Sequence, residues 1–493
     1  DHGPHRRKCP ADDSLGSIAA SNERGADRGA ESARRTAGIL SRMSNGSTGD
    51  MARVEKELLA RWPESRLEPS LTRINALVDL LGSPHRAMPV IQVAGTNGKT
   101  TTARMIDELL RGFGLRVGRF TSPHLESIRE RIVLDGEPVS AERFVETYDD
   151  VAPYVQMVDA GSDVPMSFFE VMVGMAYALF ADAPVDVAVI EVGMGGRWDA
   201  TNVADARVAV VTPVALDHAE YLGPDVATIA GEKAGIIKSD SIGVLAHQQP
   251  GAIDTLVRRA VDVDAVVARE GTEFGVLERR VAVGGQQVRL QGLGGEYEEI
   301  FLPLFGAHQA QNAVTALAAV EAFLGAGAAT GPIEQATVRA AFAAVSSPGR
   351  LERVRTSPSV LIDAAHNPAG MAATVDAIKE SFDFTRLIGV VACVSGKDVA
   401  GMLAALEDVC AEVVVTQHSS SRAMPADELG ALAVDVFGAD RVSVNPRLAD
   451  AIGEAIELAE AGPDDALGGS GVLVTGSVIT AGEARTLLAG RRT

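Results

Sequence analysis

A β-prone run, Val90-Ile91-Gln92-Val93-Ala94, leads straight into Gly95-Thr96-Asn97-Gly98-Lys99-Thr100-Thr101, and helical apolar spacing follows from about Thr100 to Arg111. Strand, glycine-rich turn and helix in immediate succession are the joint of a parallel α/β sheet. Phosphate groups need backbone N–H donors at a helix N-terminus, and glycines let the backbone come close enough to supply them. Lys99 adds a charge for the outer phosphates of a nucleotide, and the Thr100 hydroxyl suits Mg²⁺. The longer six-residue spacing of the phosphate loop is not met, because Val93 holds its first glycine position. What remains is the short form Gly-x-x-Gly-Lys-Thr, with residues 95–101 as the candidate nucleotide-binding segment.

The rest of the chain repeats the strand-and-helix alternation. Strands are expected at Val117–Phe120, Val185–Ile190 and Val208–Thr212, with helices around Leu71–Leu80, Ala141–Tyr148 and Phe168–Phe180. Gly284-Gly285 between β-prone residues predicts a hairpin and a small antiparallel patch over 273–304. An Ala-rich helix, Ala310–Leu324, follows. Beyond a hinge at Ser346–Arg350, strands at Val360–Ile362, Ile388–Val391, Val413–Thr416 and Gly471–Thr475 make a second α/β unit. The expected fold class is therefore α/β: an N-terminal P-loop ATPase-type domain over 51–345 with a mostly parallel sheet, and a smaller Rossmann-like domain over 346–493. Residues 1–50, rich in Arg, Ser, Gly and Ala, are expected to be a disordered tail, and Gly462–Gly471 a surface loop.

Composition narrows the classes. The 493 residues carry 45 Lys and Arg against 66 Asp and Glu, a net charge of −21. That balance argues against nucleic acid or an anionic membrane as partner. No stretch reaches the ~18 apolar residues of a membrane span. Three cysteines, Cys9, Cys393 and Cys410, are too few and too scattered for a disulfide framework or a metal site, and are expected to be buried thiols in a reducing compartment. The expected setting is the cytoplasm.

Other residues gather where ligands bind in such sheets, outside the C-terminal strand ends. Glu191 closes the apolar run Val187–Ile190 and opens Glu191-Val-Gly-Met-Gly-Gly-Arg197-Trp-Asp199-Ala-Thr-Asn202. Leu216-Asp217-His218 follows one strand, Thr121-Ser122-Pro123-His124 another, and Glu232-Lys233 lies downstream. Taken singly, Glu191 could be an acid ending a strand, His218 a packed or surface residue, Lys233 a solvated charge and Ser122 a turn residue.

The motifs in this order resemble the folylpolyglutamate synthases of the bifunctional dihydrofolate synthase type, within the Mur ligase superfamily. The match adds Leu71-Thr-Arg-Ile74, Glu232-Lys233-Ala-Gly-Ile236, His308-Gln-Ala-Gln-Asn312, Pro348-Gly-Arg350 and Asp363-Ala-Ala-His366-Asn367-Pro368, and runs from about Leu71 to the C-terminus. The resemblance implies an ATP-dependent ligase that phosphorylates the carboxyl group of a folate or dihydropteroate and couples it to L-glutamate. It implies two Mg²⁺ ions held by Thr100, Ser122, Glu191 and His218, with Lys233 as an N-carboxylysine bridging toward the second. Asn312, Arg350 and Asp363 would hold ATP, His366 and Asn367 the amino acid, and Arg197 and Asp199 would flank the pteroate side. Lys99, His218, Lys233 and His366 would be the catalytic set. A monomer with no nucleic-acid or membrane partner is expected. The rivals are a cell-wall precursor ligase, disfavoured by the short stretch before the phosphate loop, and a P-loop regulatory NTPase. For a GTPase switch the nearest guanine motif, Ser395-Gly-Lys397-Asp398, does not match.

Overall fold

The computed structural model describes residues 49–63, 68–461 and 469–489. Residues 1–48 of the expected tail, Cys9 and most of the Gly462–Gly471 loop lie outside the described residues; residues 49 and 50 already belong to a helix. The chain divides into residues 1–57 and a unit from Leu58 to the C-terminus, and the architecture below is that of the second unit.

Its first sheet has eight strands: β1 (Val90–Ala94), β2 (Val117–Phe120), β3 (Ile132–Leu134), β4 (Glu137–Pro138), β5 (Val187–Glu191), β6 (Val208–Val211), β7 (Ile242–Leu245) and β8 (Val266–Arg269), in the order β4-β3-β2-β5-β1-β6-β7-β8. All neighbours from β2 to β8 run parallel, and β3 and β4 add an antiparallel edge. Every residue of β1, β5 and β6 is buried, as strands covered on both faces require. Alternation then sorts their side chains. Val208, Val210 and Val244 join the helices Lys99–Gly112 and Ala307–Leu324 in one core, while Ala209, Val211 and Leu245 pack with Val226–Lys233 and Pro250–Asp262 in another.

The expected hairpin is present. β9 (Gly275–Ala282), β10 (Gly285–Gln291) and β11 (Glu296–Leu302) form a three-stranded antiparallel sheet. Gly284 takes φ +80° at the β9–β10 turn, a conformation that favours glycine.

A separate six-stranded sheet follows: β12 (Glu352–Thr356), β13 (Ser359–Ile362), β14 (Arg386–Val391), β15 (Glu412–Gln417), β16 (Val442–Arg447) and β17 (Ser470–Thr475), ordered β12-β13-β17-β14-β15-β16. It is parallel except for the β12–β13 hairpin. Cys393 and Cys410 are free and buried here, and burial pushes both thiols up to about 12. The C-terminal ends of the central strands of both sheets open on one cavity of about 980 Å³.

Candidate active site

The cavity begins at the phosphate loop. Gly95 sits so close to Thr212 that no Cβ would fit, and Gly98 (φ +86°) would bring a Cβ within 2.5 Å of Asn312 Oδ1. The helix starting at Lys99 has no side-chain cap, which leaves its first N–H groups facing the cavity as a cradle for an anion. Thr96 and Asn97 spend their own amides on the Pro213 carbonyl (3.0 and 3.3 Å). Lys99 folds back so that Nζ donates to Thr96 O at 3.2 Å. Burial lowers its pKa, with Glu191 and Asp217 opposing that shift.

Glu191 ends β5 and is almost completely buried. Thr100 Oγ1 donates to its Oε1 at 2.9 Å, and the Ser122 amide to its Oε2 at 3.3 Å. The ends of β5 and β2 and the first turn of the phosphate helix thereby converge on one carboxylate. Burial raises its pKa and the Lys99 charge pulls it back. Lys233, at the last turn of the helix Val226–Lys233, is 4% exposed. Its Nζ donates to Gly95 O at 2.8 Å, and burial, helped by the Lys99 charge, brings its pKa down to about 7.

The second domain meets this group across the cavity. Asn97 and Asn367 exchange amide hydrogen bonds of 3.4 and 3.0 Å. Lys397 donates to Asp217 Oδ1 at 2.5 Å and approaches His218 Nε2 at 3.2 Å, while Asn367 Nδ2 donates to Asp217 Oδ2 at 3.2 Å. An ammonium has no acceptor, so His218 Nε2 carries the lone pair in this arrangement. Burial brings His218 down to about 4 against the pull of Asp217. Burial alone would raise Asp217, but His218, Lys397 and His366 outweigh it and hold the carboxyl well below the usual range. His366 is lowered to about 4 by burial, against a bond to the Ala364 carbonyl. Its Nδ1 lies 3.0 Å from that carbonyl, which puts the proton on Nδ1 and the free lone pair on Nε2.

Most of the expected residues line the cavity, with two qualifications and two exceptions; Asn367 is buried against Asn97 and Asp217 and does not itself line the wall. Asp363 is occupied: it accepts from Leu351 N (2.8 Å), Ala365 N (2.9 Å) and Thr374 Oγ1 (2.9 Å). Asp199 caps the turn Ala200–Val203 and accepts from Met194 N (2.9 Å) and Thr201 N (2.9 Å), stitching the glycine-rich loop together. Arg197 is the other exception. It is exposed, does not line the cavity, and donates to Gly231 O at 3.3 Å. Arg350 and Asn312 both line the wall; Asn312 Nδ2 is held by Gln309 at 3.0 Å.

Lys397 is the functional candidate that sequence reasoning missed. It stands in Ser395-Gly-Lys397-Asp398, which does not match a guanine motif, and nothing local distinguishes it from a surface lysine. The far wall was also unforeseen: Arg73 pairs with Glu170 at 3.0 Å, both buried, beside Trp62, Phe169 and Trp198.

Residues 169–320 match the model of the Mur ligase middle domain, and 349–478 that of the Mur ligase glutamate ligase domain. The dihydrofolate synthase/folylpolyglutamate synthase of Mycobacterium tuberculosis is 54% identical over 456 residues, covering 89% of this chain and 93% of the relative. The chain belongs to the dihydrofolate synthase/folylpolyglutamate synthase family. Its Escherichia coli member is 32% identical over 429 residues, covering 86% and 93%. Among solved structures, the Mycobacterium tuberculosis folylpolyglutamate synthase complexed with ADP superposes with a TM-score of 0.86 at 53% identity, covering 90% of this chain and 99% of that one. The Escherichia coli protein in complex with DHPP and ADP gives 0.77 at 30% identity, covering 90% and 98%. Members of this family are ATP-dependent ligases, with which the uncapped phosphate helix and the two-domain cavity agree.

Proposed function

We propose that the protein joins L-glutamate to the carboxyl group of tetrahydrofolates, and of dihydropteroate, through an acyl phosphate made from ATP. The observation that carries this reading is the convergence of Thr100, Ser122, Glu191 and Lys233 on a phosphate loop, facing His366 and Lys397 across one cavity, with Asn367 bonded to Asn97 at its edge. A carboxylate is a poor acyl donor. Its oxygen attacks the γ-phosphorus, the bond to the β-phosphate oxygen breaks, and ADP leaves. The glutamate amine then attacks the acyl carbon, phosphate leaves, and the amine gives up a proton. We assign the first acceptance of that proton to His366, whose Nε2 carries the lone pair, with the departing phosphate as its final acceptor. Positioning and charge neutralisation are most of what the protein supplies.

Among the described residues no three His, Cys, Asp or Glu side chains cluster as a self-sufficient metal site. One carboxylate with hydroxyl oxygens suits Mg²⁺, a hard ion that binds few protein ligands and shares the rest with phosphates and water. Thr100, Ser122 and Glu191 would hold it, with His218 and a carboxylated Lys233 serving a second ion once Lys397 has moved aside. Bound there, Mg²⁺ would offset the repulsion between ATP and the incoming carboxylate. Lys99 and Arg350 do the same from the protein side, and Asn312 borders the nucleotide. The pteroate ring is assigned to the Trp62, Arg73, Phe169 and Trp198 wall, which Asp199 shapes from behind. Arg197 acts outside it.

The division at 51–345 and 346–493, monomeric action and a cytoplasmic setting belong to the same reading. Among the described residues no helix is long and apolar enough to cross a membrane. The deciding experiment measures ADP release with dihydropteroate or tetrahydrofolate, each with and without glutamate. Turnover that needs both substrates supports the ligase; turnover indifferent to them overturns it in favour of a regulatory NTPase.

A further inference from the structure

The segment Ser122–Glu130 leaves the cavity and crosses to the second domain. Its shape is set by Glu130, whose carboxylate accepts from the backbone N–H of Leu125 (2.9 Å), Glu126 (3.0 Å) and Ser127 (2.8 Å). The segment lies on the helix Val478–Ala489. The Leu125 carbonyl sits where a Cβ of residue 482 would be, so only Gly482 permits the contact, and a Cβ on Gly349 would stand 3.1 Å from Leu125 Cδ1.

One guanidinium holds this crossing together. Arg485 pairs with Glu126 of the segment, and its Nε lies 3.2 and 3.1 Å from the two carboxylate oxygens of Glu352. Thr486 Oγ1 donates to Glu126 at 3.3 Å. Glu352 in turn accepts from Gly349 N at 2.9 Å, next to Arg350. The chain of contacts therefore runs from Ser122, through Glu126, Arg485 and Glu352, to Arg350. At one end is the Ser122 amide bonded to Glu191; at the other is Arg350, the second domain's cation in the cavity. Removing the guanidinium would leave Glu126 and Glu352 as like charges with no cation between them, repelling along the line that separates loop from helix.

We infer that Arg485 is a positioning residue that couples the Ser122 segment to the Arg350 hinge, so that both ends of the cavity close on the reacting groups together. The inference rests on the acyl-phosphate reading above. An ion pair with side chains about 30% exposed contributes little to folding stability, so the signature expected is kinetic. If coupling fails, water reaches the acyl phosphate and ATP is spent without an amide bond.

The test uses the full chain with Arg485→Gln, Arg485→Lys, Glu126→Gln and the double variant Glu126→Gln/Arg485→Gln. Two readouts are ADP formed per amide bond, and amide hydrogen exchange over 122–130 and 347–352. Arg485→Gln should raise the ratio of ADP to product about 3-fold or more and speed exchange in both segments, at an unchanged melting temperature. Arg485→Lys should recover part of the coupling, because it restores the charge but not the two-sided fork. The double variant should be no worse than Arg485→Gln alone, as expected for two members of one contact. A folded Arg485→Gln protein with one ADP per bond and wild-type exchange overturns the inference. Should Arg485→Gln not fold, Glu126→Gln tests the same bridge from its exposed end, with the same outcomes. Absence of folate- and glutamate-dependent turnover in the wild type would instead refute the proposed function, and exchange alone would then decide the coupling.

Discussion

Replacing Lys233 by alanine tests the most unusual group in the cavity. An ammonium cannot coordinate Mg²⁺, having three donors and no acceptor. Reaction of the neutral amine with CO₂ would give an anionic oxygen ligand of the kind Mg²⁺ takes. An ordinary lysine, at a pKa of about 10.4, is neutral in only about 1 molecule in 10³ at pH 7. Burial and Lys99 bring Lys233 to about 7, so roughly half of it is neutral there, a gain of about 10³ in reactive amine over an ordinary lysine. The carboxylated fraction should therefore rise as pH increases through about 7 and fall below it. Lys233→Ala should lose at least ~10²-fold in turnover, the scale of one lost electrostatic stabiliser, and acetate at high concentration should restore part of it. Labelled bicarbonate should give a carbamate carbon signal in the wild type that is absent from the variant. An alanine variant as active as wild type would refute the catalytic role. Full turnover in CO₂-depleted buffer without a carbamate signal would refute the modification.

Glu191→Gln should cost at least ~10²-fold in turnover yet change stability by only about 1 kcal/mol, because one lost acceptor is offset by removal of a buried charge; turnover within a few-fold of wild type would show that the carboxylate is not at the reacting centre. Lys397→Met should leave Asp217 facing the domain boundary without its cation, costing about 3 kcal/mol in denaturant unfolding and raising KM for glutamate; neither change would be seen if the lysine were an ordinary surface charge. Glu321, buried and bonded to Tyr297 OH (2.7 Å) and Gly294 N (3.0 Å), has its carboxyl raised by burial. Its contribution is present at low pH and is lost as pH rises through its folded value. Melting temperatures of Glu321→Gln minus wild type should therefore increase with pH, and a difference independent of pH would contradict the assignment.

The legible parts of this chain were those where one strand or turn carries its own signal. β1 and the phosphate loop stand where the apolar run and the glycines put them, and the Gly284-Gly285 hairpin formed. Glu191 ends its strand because the apolar run Val187–Ile190 stops there. Elements that depend on their neighbours were not legible. β12, Glu-Arg-Val-Arg-Thr, is a charged edge strand without an apolar pattern. β16 contains Pro446, which a central strand would exclude but an edge strand tolerates. The helix expected to stop near Tyr148 continues to Ala160 through Pro153, because Val151, Val155 and Val158 keep its buried face going. In the site, Lys397 was invisible because its role comes from Asp217, 180 residues away. Arg197 misled for the opposite reason: it lies inside a motif whose glycines and Asp199 shape the loop, while its own side chain turns out to solvent.

The charge distribution explains why the chemistry needs both domains. The protein carries −21 overall, yet nucleotide, folate and glutamate are all anions. Attraction cannot come from the surface as a whole; it has to come from cations inside the cavity, where low dielectric strengthens each one. The first domain contributes Lys99 and Arg131, the second Arg350, Lys397 and Arg422. Neither set suffices alone, since the reacting carboxyl must lie between the phosphate loop and the amine. The contacts joining the two sets are short-range and polar: Asn97 with Asn367, and Lys397 with Asp217. An incoming carboxylate would compete with Asp217 for Lys397, exchanging a contact between the domains for one with substrate. The crossing at Arg485, outside the cavity and untouched by substrate, is what can keep the halves in register while that exchange takes place.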